Sequence, residues 1–353
     1  MRKVIKILGK AIATIVIVAA VLPLLLALLL GIPAVQNAVV RKATRIVSEK
    51  LDTEVRIGRV EIGYFGKVRV RDLYVEDYQK DTLLYAGRVE AFVTGLGIFG
   101  GGVSLNRAEI AGAKLCLRET PEGVMNIKQL IDRLSDPDKP KKGAFRLAIR
   151  KASIRDMVLC LERLQHRDPP YGIDFGHMHL YDLAARVDDL MLDGPALSMT
   201  VGALSARERS GFVLDHLSGR FYMNNGCLGF EEAHLVTERS NVTLPYVALV
   251  GGSWADYKDF ISEVRIEAAV RNATLATDDV AYFAPKLRDR HLVMSGLDAD
   301  ASGEVDDLRV KLRSLRIGEG ISLAGDLAAT GLPDLDRARF DVRLTRLAAS
   351  AEA

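Results

Sequence analysis

The residues able to do chemistry are few, and their spacing argues against most of it. His177-Met-His179 places two imidazoles at i and i+2, on one face of a strand, which is half of a metal site. Asp174 and Asp182 are the nearest further ligand types, so the pair reads better as surface or groove-edge histidines. Asp298-Ala-Asp300-Ala-Ser302-Gly303 imitates the first half of a calcium loop, but the position that needs a bidentate Glu is Arg309. The cluster Gly95-Leu-Gly97-Ile-Phe-Gly100-Gly101-Gly102 lacks the Gly-Lys-Ser/Thr ending of a phosphate loop and is expected to be a flexible turn. No Gly-x-Ser-x-Gly and no distinctive cysteine context supports nucleophilic catalysis. Nothing in these patterns argues for an enzyme, a cofactor or a bound metal. Cys116, Cys160 and Cys227 form no CxxC. A bridge between Cys116 and Cys160 would need neighbouring strands of suitable geometry, and two free thiols are the expected state.

The elements that carry these residues repeat. Val103, Leu105, Ala108, Ile110, Leu115 and Leu117 recur in register as Leu147, Ile149, Ala152, Ile154, Leu159 and Leu161. The opening of the copy returns as Val55, Ile57, Val60, Ile62 and as Val310, Leu312, Leu315, Ile317. Looser copies run through Val264, Ile266, Ala268, Val270, Ala273 and Leu275. Self-similarity of this kind points to a repetitive architecture.

Within each copy apolar and polar residues alternate, as in a strand with one buried face, and then the phase slips by one residue. The slips fall at Gly58-Arg59, Arg71-Asp72, Asn106-Arg107, Arg150-Lys151 and Arg313-Ser314, each with a cation. A slip turns the following side chains to the other face unless a bulge or bend absorbs it. Repeated bends would curl a long antiparallel sheet into a gutter with one apolar face; ordinary sandwich hairpins are the alternative. The expected fold is therefore mainly β: an N-terminal transmembrane helix, a long curled antiparallel sheet forming a repetitive groove, and a few short helices.

Composition sets the class. With 353 residues, 49% of them hydrophobic, the chain can bury a sizeable core, and 48 Lys plus Arg against 46 Asp plus Glu leave no basic field for nucleic acid. Residues 1–10 are basic and are expected to stay cytoplasmic. Residues 11–32 carry no charge, and at about 1.5 Å per residue they are long enough to cross a hydrocarbon core of about 30 Å. The run exceeds a signal-peptide apolar region and ends without a small-residue cleavage site, so an uncleaved anchor is favoured. Residues 34–51 read as a basic amphipathic helix that caps the first strand or lies on headgroups. The first part of the sheet is expected over 53–134, a charged linker over 135–143, and the rest of the sheet over 144–353, truncated or open-ended. Asn126 and Thr277-Asp278-Asp279-Val280 read as starts of short helices, the second with Val280, Phe283 and Leu287 inward.

The runs Gly31-Ile-Pro33-Ala-Val-Gln-Asn37, Ser48-Glu-Lys-Leu51-Asp-Thr-Glu-Val55-Arg-Ile57-Gly-Arg-Val60-Glu-Ile62, Gly66-Lys-Val-Arg-Val-Arg-Asp and Asp81-Thr-Leu-Leu-Tyr-Ala86 resemble the amino-terminal part of AsmA-like proteins, TamB (translocation and assembly module) proteins of Bacteroidota above all. The likeness is dense over about the first 160 residues and looser beyond. It implies an inner-membrane anchor, a periplasmic β-groove lined with lipid, and a role in phospholipid movement or in assembly of outer-membrane β-barrel proteins. The expected partners are the membrane, phospholipid and an outer-membrane barrel-assembly protein, with no nucleic acid. On this reading the repeated apolar positions named above line a passive lipid conduit. A chaperone whose free edge pairs with client strands, and a tethered domain with a closed core and no cargo, are the alternatives.

Overall fold

The computed structural model describes residues 44–45, 48–49, 51–63, 66–96, 102–128, 146–164, 169–318, 320–332 and 337–349. The basic N-terminus, the expected anchor over 11–32, most of the 34–51 helix and the 135–143 linker lie outside these residues. Among the described residues no helix is long and apolar enough to cross a membrane.

The strands are β1 (Val55–Ile62), β2 (Lys67–Glu76), β3 (Thr82–Leu96), β4 (Gly102–Arg118) and β5 (Arg146–Glu162), then β6 (His179–Asp193), β7 (Ala196–Glu208), β8 (Val213–Asn224), β9 (Cys227–Thr237) and β10 (Asn241–Val250). The last five are β11 (Arg265–Ala276), β12 (Val293–Glu304), β13 (Asp307–Ile317), β14 (Ile321–Thr330) and β15 (Arg339–Ala349). All belong to one 15-stranded sheet whose spatial order is the sequence order, so it is not closed into a barrel and β1 and β15 are its edges. Several strands are longer than their patterns suggest. Val68-Arg-Val70 and Leu73-Tyr-Val75 are both in β2, and the stretch from Leu83 to Val93 is all in β3.

Every junction is antiparallel except one. β4 and β5, the two best-matched repeats, lie parallel, with Val103 opposite Leu147, Ile110 opposite Ile154 and Leu117 opposite Leu161. Antiparallel neighbours can be joined by a tight turn, but a parallel pair needs a crossover. Here it runs from Arg118 to Arg146, so the sheet continues unbroken across the expected linker.

The phase slips are absorbed as bends. In β2, Val70 and Leu73 are both buried while Arg71 and Asp72 between them are exposed. Opposite them stand Gly58 and Arg59, between the pairs Ile57–Leu73 and Val60–Val70, so adjacent strands bend together and keep register. Asp72 and, further along the same row, Gly112 and Asp156 have φ of 51°, 61° and 53°. That left-handed region suits Gly and is tolerated by Asp better than by bulkier residues. The bends at Gly112 and Asp156 are absent from the expected set; at Gly112 the flanking Ala111 and Ala113 blur the alternation. At Arg313-Ser314 the slip is a true bulge, with a register shift between Leu312 and Leu315 against β14. Gly325 faces that region, and a Cβ on it would lie 2.4 Å from the Arg343 carbonyl oxygen of β15.

The cations at the bends have a common use on the charged face of the sheet. Arg59 and Arg71 both approach Glu61, Arg88 approaches Glu90, and Arg155 approaches Glu109 from the neighbouring strand. Arg150 Nε donates to Asn106 Oδ1 at 2.7 Å across the parallel junction, between residues 44 apart in sequence. Ion pairs exposed in this way contribute little each. Their placement nonetheless keeps every bend polar on one side and leaves the other side apolar.

Candidate functional site

The apolar face divides in two. From β1 to β7 its side chains are buried in two clusters. One joins Val55, Leu73, Val75, Leu115, Leu117, Met157, Leu159 and Leu161; the other joins Val103, Leu105, Leu147, Ile149, Leu190 and Leu192. Leu51 and Tyr78 seal the rim of the first cluster, with the Tyr78 hydroxyl donating to the Leu51 carbonyl at 2.7 Å. Ile127 and Met178 join them there. Ser48 accepts from the Val55 amide, tying the short helical segment before β1 to the first strand. Of the expected lining residues, Val55, Val103, Leu105, Leu115, Leu117, Leu147, Ile149, Leu159 and Leu161 are thus core. Ile57, Val60, Ala108, Ile110, Ala152 and Ile154 pack against that core, half-buried. Ile62 pairs with Val68 through its backbone, and its side chain lies outside the described residues.

From β8 onward the same alternation continues in a half-buried face, whose first residues Phe221 and Met223 still pack against the second cluster. Register alone draws a continuous apolar row across eight strands: Phe221 opposite Phe230, Phe230 opposite Val247, Val247 opposite Ala268, and Ala268 opposite Ala301. The row goes on through Val310, Leu327 and Val342. A second row beside it contains Met223, Leu228, Leu249, Ile266, Gly303, Leu308, Ala329 and Phe340. At about 4.8 Å per strand the rows extend roughly 34 Å. Their residues in β8–β14 are mostly half-buried, like Ile110 and Ile154 in the first half, and only on β15 are they exposed, Val342 at 53% and Leu347 at 63%. Val310, Leu312, Leu315 and Ile317 belong to this half and are half-buried. The middle of the floor is made of small residues, Ala268, Ala299, Ala301 and Gly303, between Phe221 and Phe230 on one side and Leu344 and Phe340 on the other.

Two connections close the rims of this floor. The segment between β10 and β11, with the short helix α1 (Phe260–Glu263), buries Tyr257, Phe260 and Val264 against Leu228, Leu249 and Val305. Tyr257 donates to the Leu249 carbonyl at 2.8 Å. At the opposite rim the segment after β11 begins with α2 (Thr277–Val280) and runs back over three earlier connections. Asp279 Oδ2 accepts from Thr237 Oγ1 and Ser240 Oγ, both at 2.6 Å, and from the Arg239 amide at 3.1 Å. Tyr282 stacks on Tyr171 and meets Phe212 edge-on, and its carbonyl accepts from the Ile173 amide at 2.9 Å. Phe283 contacts Phe175 and Phe212 yet is 55% exposed, so it lies over the rim rather than inward as its spacing suggested. Residues so far apart in the chain carry no local signal that they meet, apart from the concentration of aromatics in the connections.

The remaining chemistry-bearing residues have structural partners. Asp298 and Asp300 of β12 sit between Arg271 of β11 and Arg313 of β13. Arg271 is 3.3 Å from Asp298 and 2.6 Å from Asp300, and Arg313 hydrogen-bonds Asp300. The hydrogen bond from Arg313 outweighs burial and, with that from Arg271, holds the Asp300 carboxyl below its usual range. Both arginines occupy bends, so the sequence that imitates a calcium loop is one side of a charge clamp. His177 Nδ1 is 2.8 Å from Asp174, which also accepts from the Gly176 amide, and the His179 amide donates to Glu208. Among the described residues no three His, Cys, Asp or Glu side chains converge as a metal site. No protein-family model and no curated protein sequence matches this chain.

Proposed function

We propose that the apolar face of β8–β15 is the floor of a groove that carries the acyl chains of phospholipids. The chain is then an inner-membrane-anchored, AsmA-like protein of the TamB kind, working in the periplasm in cell-envelope biogenesis. The carrying observation is the unbroken apolar row from Phe221 to Val342, half-buried over β8–β14, floored by small residues over β11 and β12, and exposed at Val342. Each lipid CH₂ removed from water contributes about 0.8 kcal/mol. A floor of this length therefore holds an acyl chain without a polar pocket, and direction must come from a gradient or a partner. The β1–β7 half serves as the rigid end of the groove, a role that the resemblance alone did not assign to it.

Lipid extracted from the purified full chain and quantified by mass spectrometry tests this. Val247→Asp, Val310→Asp and Leu327→Asp are each expected to remove most of the bound phospholipid while the sheet stays folded by circular dichroism. Bound lipid unchanged in all three would sink the conduit. A second reading, a scaffold for barrel assembly, is favoured by one feature: β15 has an unpaired edge and exposes Phe340, Val342, Leu344 and Leu347. Such an edge can add a client strand. Val342→Pro would then impair client assembly and leave lipid content intact.

A further inference from the structure

The parallel junction brings Cys116 and Cys160 directly opposite each other, flanked by the pairs Leu115–Leu159, Leu117–Leu161 and Arg118–Glu162. Paired strands lie about 4.8 Å apart, within the 4.4–6.8 Å Cα separation that a disulfide spans. Both cysteines alternate with leucines and so share the face away from the main core, yet they are 1% and 6% exposed. Both are free thiols in the structure, and the neighbouring Cys160 thiol together with burial pushes the Cys116 thiol up. Nothing else in the sheet needs such a link as much. Most neighbours are joined by short connections, whereas β4 and β5 are joined only by the long crossover from Arg118 to Arg146.

We propose that Cys116 and Cys160 are a disulfide-forming pair that staples this junction when the chain folds in an oxidising compartment. The oxidant is a small-molecule or protein disulfide. One cysteine thiolate attacks a sulfur of that disulfide, forming a mixed disulfide and releasing one thiol. The second thiolate then displaces the remaining oxidant sulfur and forms the Cys116–Cys160 bond. Two protons and two electrons leave the pair, and the oxidant is reduced to two thiols. Exchange takes place as β5 docks on β4, before both sulfurs are buried; afterwards the bridge is shielded from reductants. Cys227, on β9, has no part in it.

The test is to refold the reduced full chain in detergent with a glutathione redox buffer, quench with acid, alkylate, and map peptides without reduction. A peptide linking Cys116 to Cys160 is expected, with Cys227 alkylated. Wild-type chain refolded in the oxidising buffer should melt several degrees above wild-type chain refolded and kept in reductant, and Cys116→Ser and Cys160→Ser should show no such difference. Full alkylation of both residues in folded wild-type protein would overturn the proposal, and so would a reductant effect of equal size in the serine variants. Should a serine variant fail to fold, the peptide map of the wild type alone decides. The result does not depend on lipid binding.

Discussion

The two halves of the sheet follow one pattern of alternation and bending, yet one half buries its apolar face and the other leaves it half-buried and, on β15, exposed. The difference lies in the cover and in side-chain size. Over β1–β7 large aliphatics face one another in two clusters, with Leu51, Tyr78, Ile127 and Met178 at the rim of the first, and Leu73, Leu117, Leu147 and Leu161 are each at most 2% exposed. Over β11 and β12 the floor is largely alanine and glycine, and its cover is confined to the rims. Fully burying a Leu is worth about 1.5–3 kcal/mol. Stability is therefore concentrated in the first half, and the second is a surface able to bind. Identical strand grammar serves as a core in one place and as a binding floor in the other.

The largest contrast is expected from truncating one residue in each half. Leu161→Ala leaves a cavity in a sealed cluster and should cost about 2–5 kcal/mol. Val310→Ala removes a half-buried group and should cost about 1 kcal/mol or less. Denaturant unfolding of both variants measures the difference. Equal costs would mean that the second half is as tightly packed as the first.

An intermediate effect is expected at the strap over the rim. Asp279 accepts three hydrogen bonds from the turn between β9 and β10. Asp279→Ala strands two buried hydroxyls and should cost roughly 2–3 kcal/mol. The loss should be local: hydrogen exchange should quicken over 277–292 and over the turns at 209–212 and 237–240, with protection of β1–β5 unchanged. Quickening that spreads evenly to β1–β5 would show that the two halves unfold as one unit and that the comparison is one of packing alone.

Much of this was legible in the sequence, for a definite reason. Alternation and its slips are properties of neighbouring residues, so Arg71-Asp72, Asn106-Arg107, Arg150-Lys151 and Arg313-Ser314 announced both the sheet and its bends. The bend at Gly112 was hidden because alanines flank it. The parallel junction was not expected: the repetition marks β4 and β5 as alike, but the sheet expected from it is antiparallel, and the pairing direction is set by the crossover between them. What could not be read was burial. Leu105 and Leu312 hold similar positions in similar strings, and only the distant segments that cover the first distinguish core from floor. The same limit hid the partners of Asp298 and Asp300, which come from strands on either side, and made a charge clamp resemble a calcium loop.

The smallest effect separates the two halves by acid and salt. Burial pushes the Asp174 carboxyl up, but hydrogen bonds from His177 and from the Gly176 and His177 amides outweigh it and hold the group below its usual range. Asp300 is also held low, by Arg313 and Arg271 against burial. A carboxyl with a depressed folded-state pKa stabilises the fold above the unfolded value of about 3.9, and that contribution fades as pH falls through the folded value. Both sites should therefore weaken on acidification below about pH 4. Asp174 is 6% exposed and bonded to backbone amides, so its contribution should persist in salt. The Asp300 clamp is solvent-accessible and should be screened, its share of Tm falling by about a degree between low and high salt. Melts of Asp174→Asn and Asp300→Asn at neutral pH, in low and high salt, check this. A salt-sensitive Asp174 with a salt-insensitive Asp300 would reverse the assignment of which half is sealed from water.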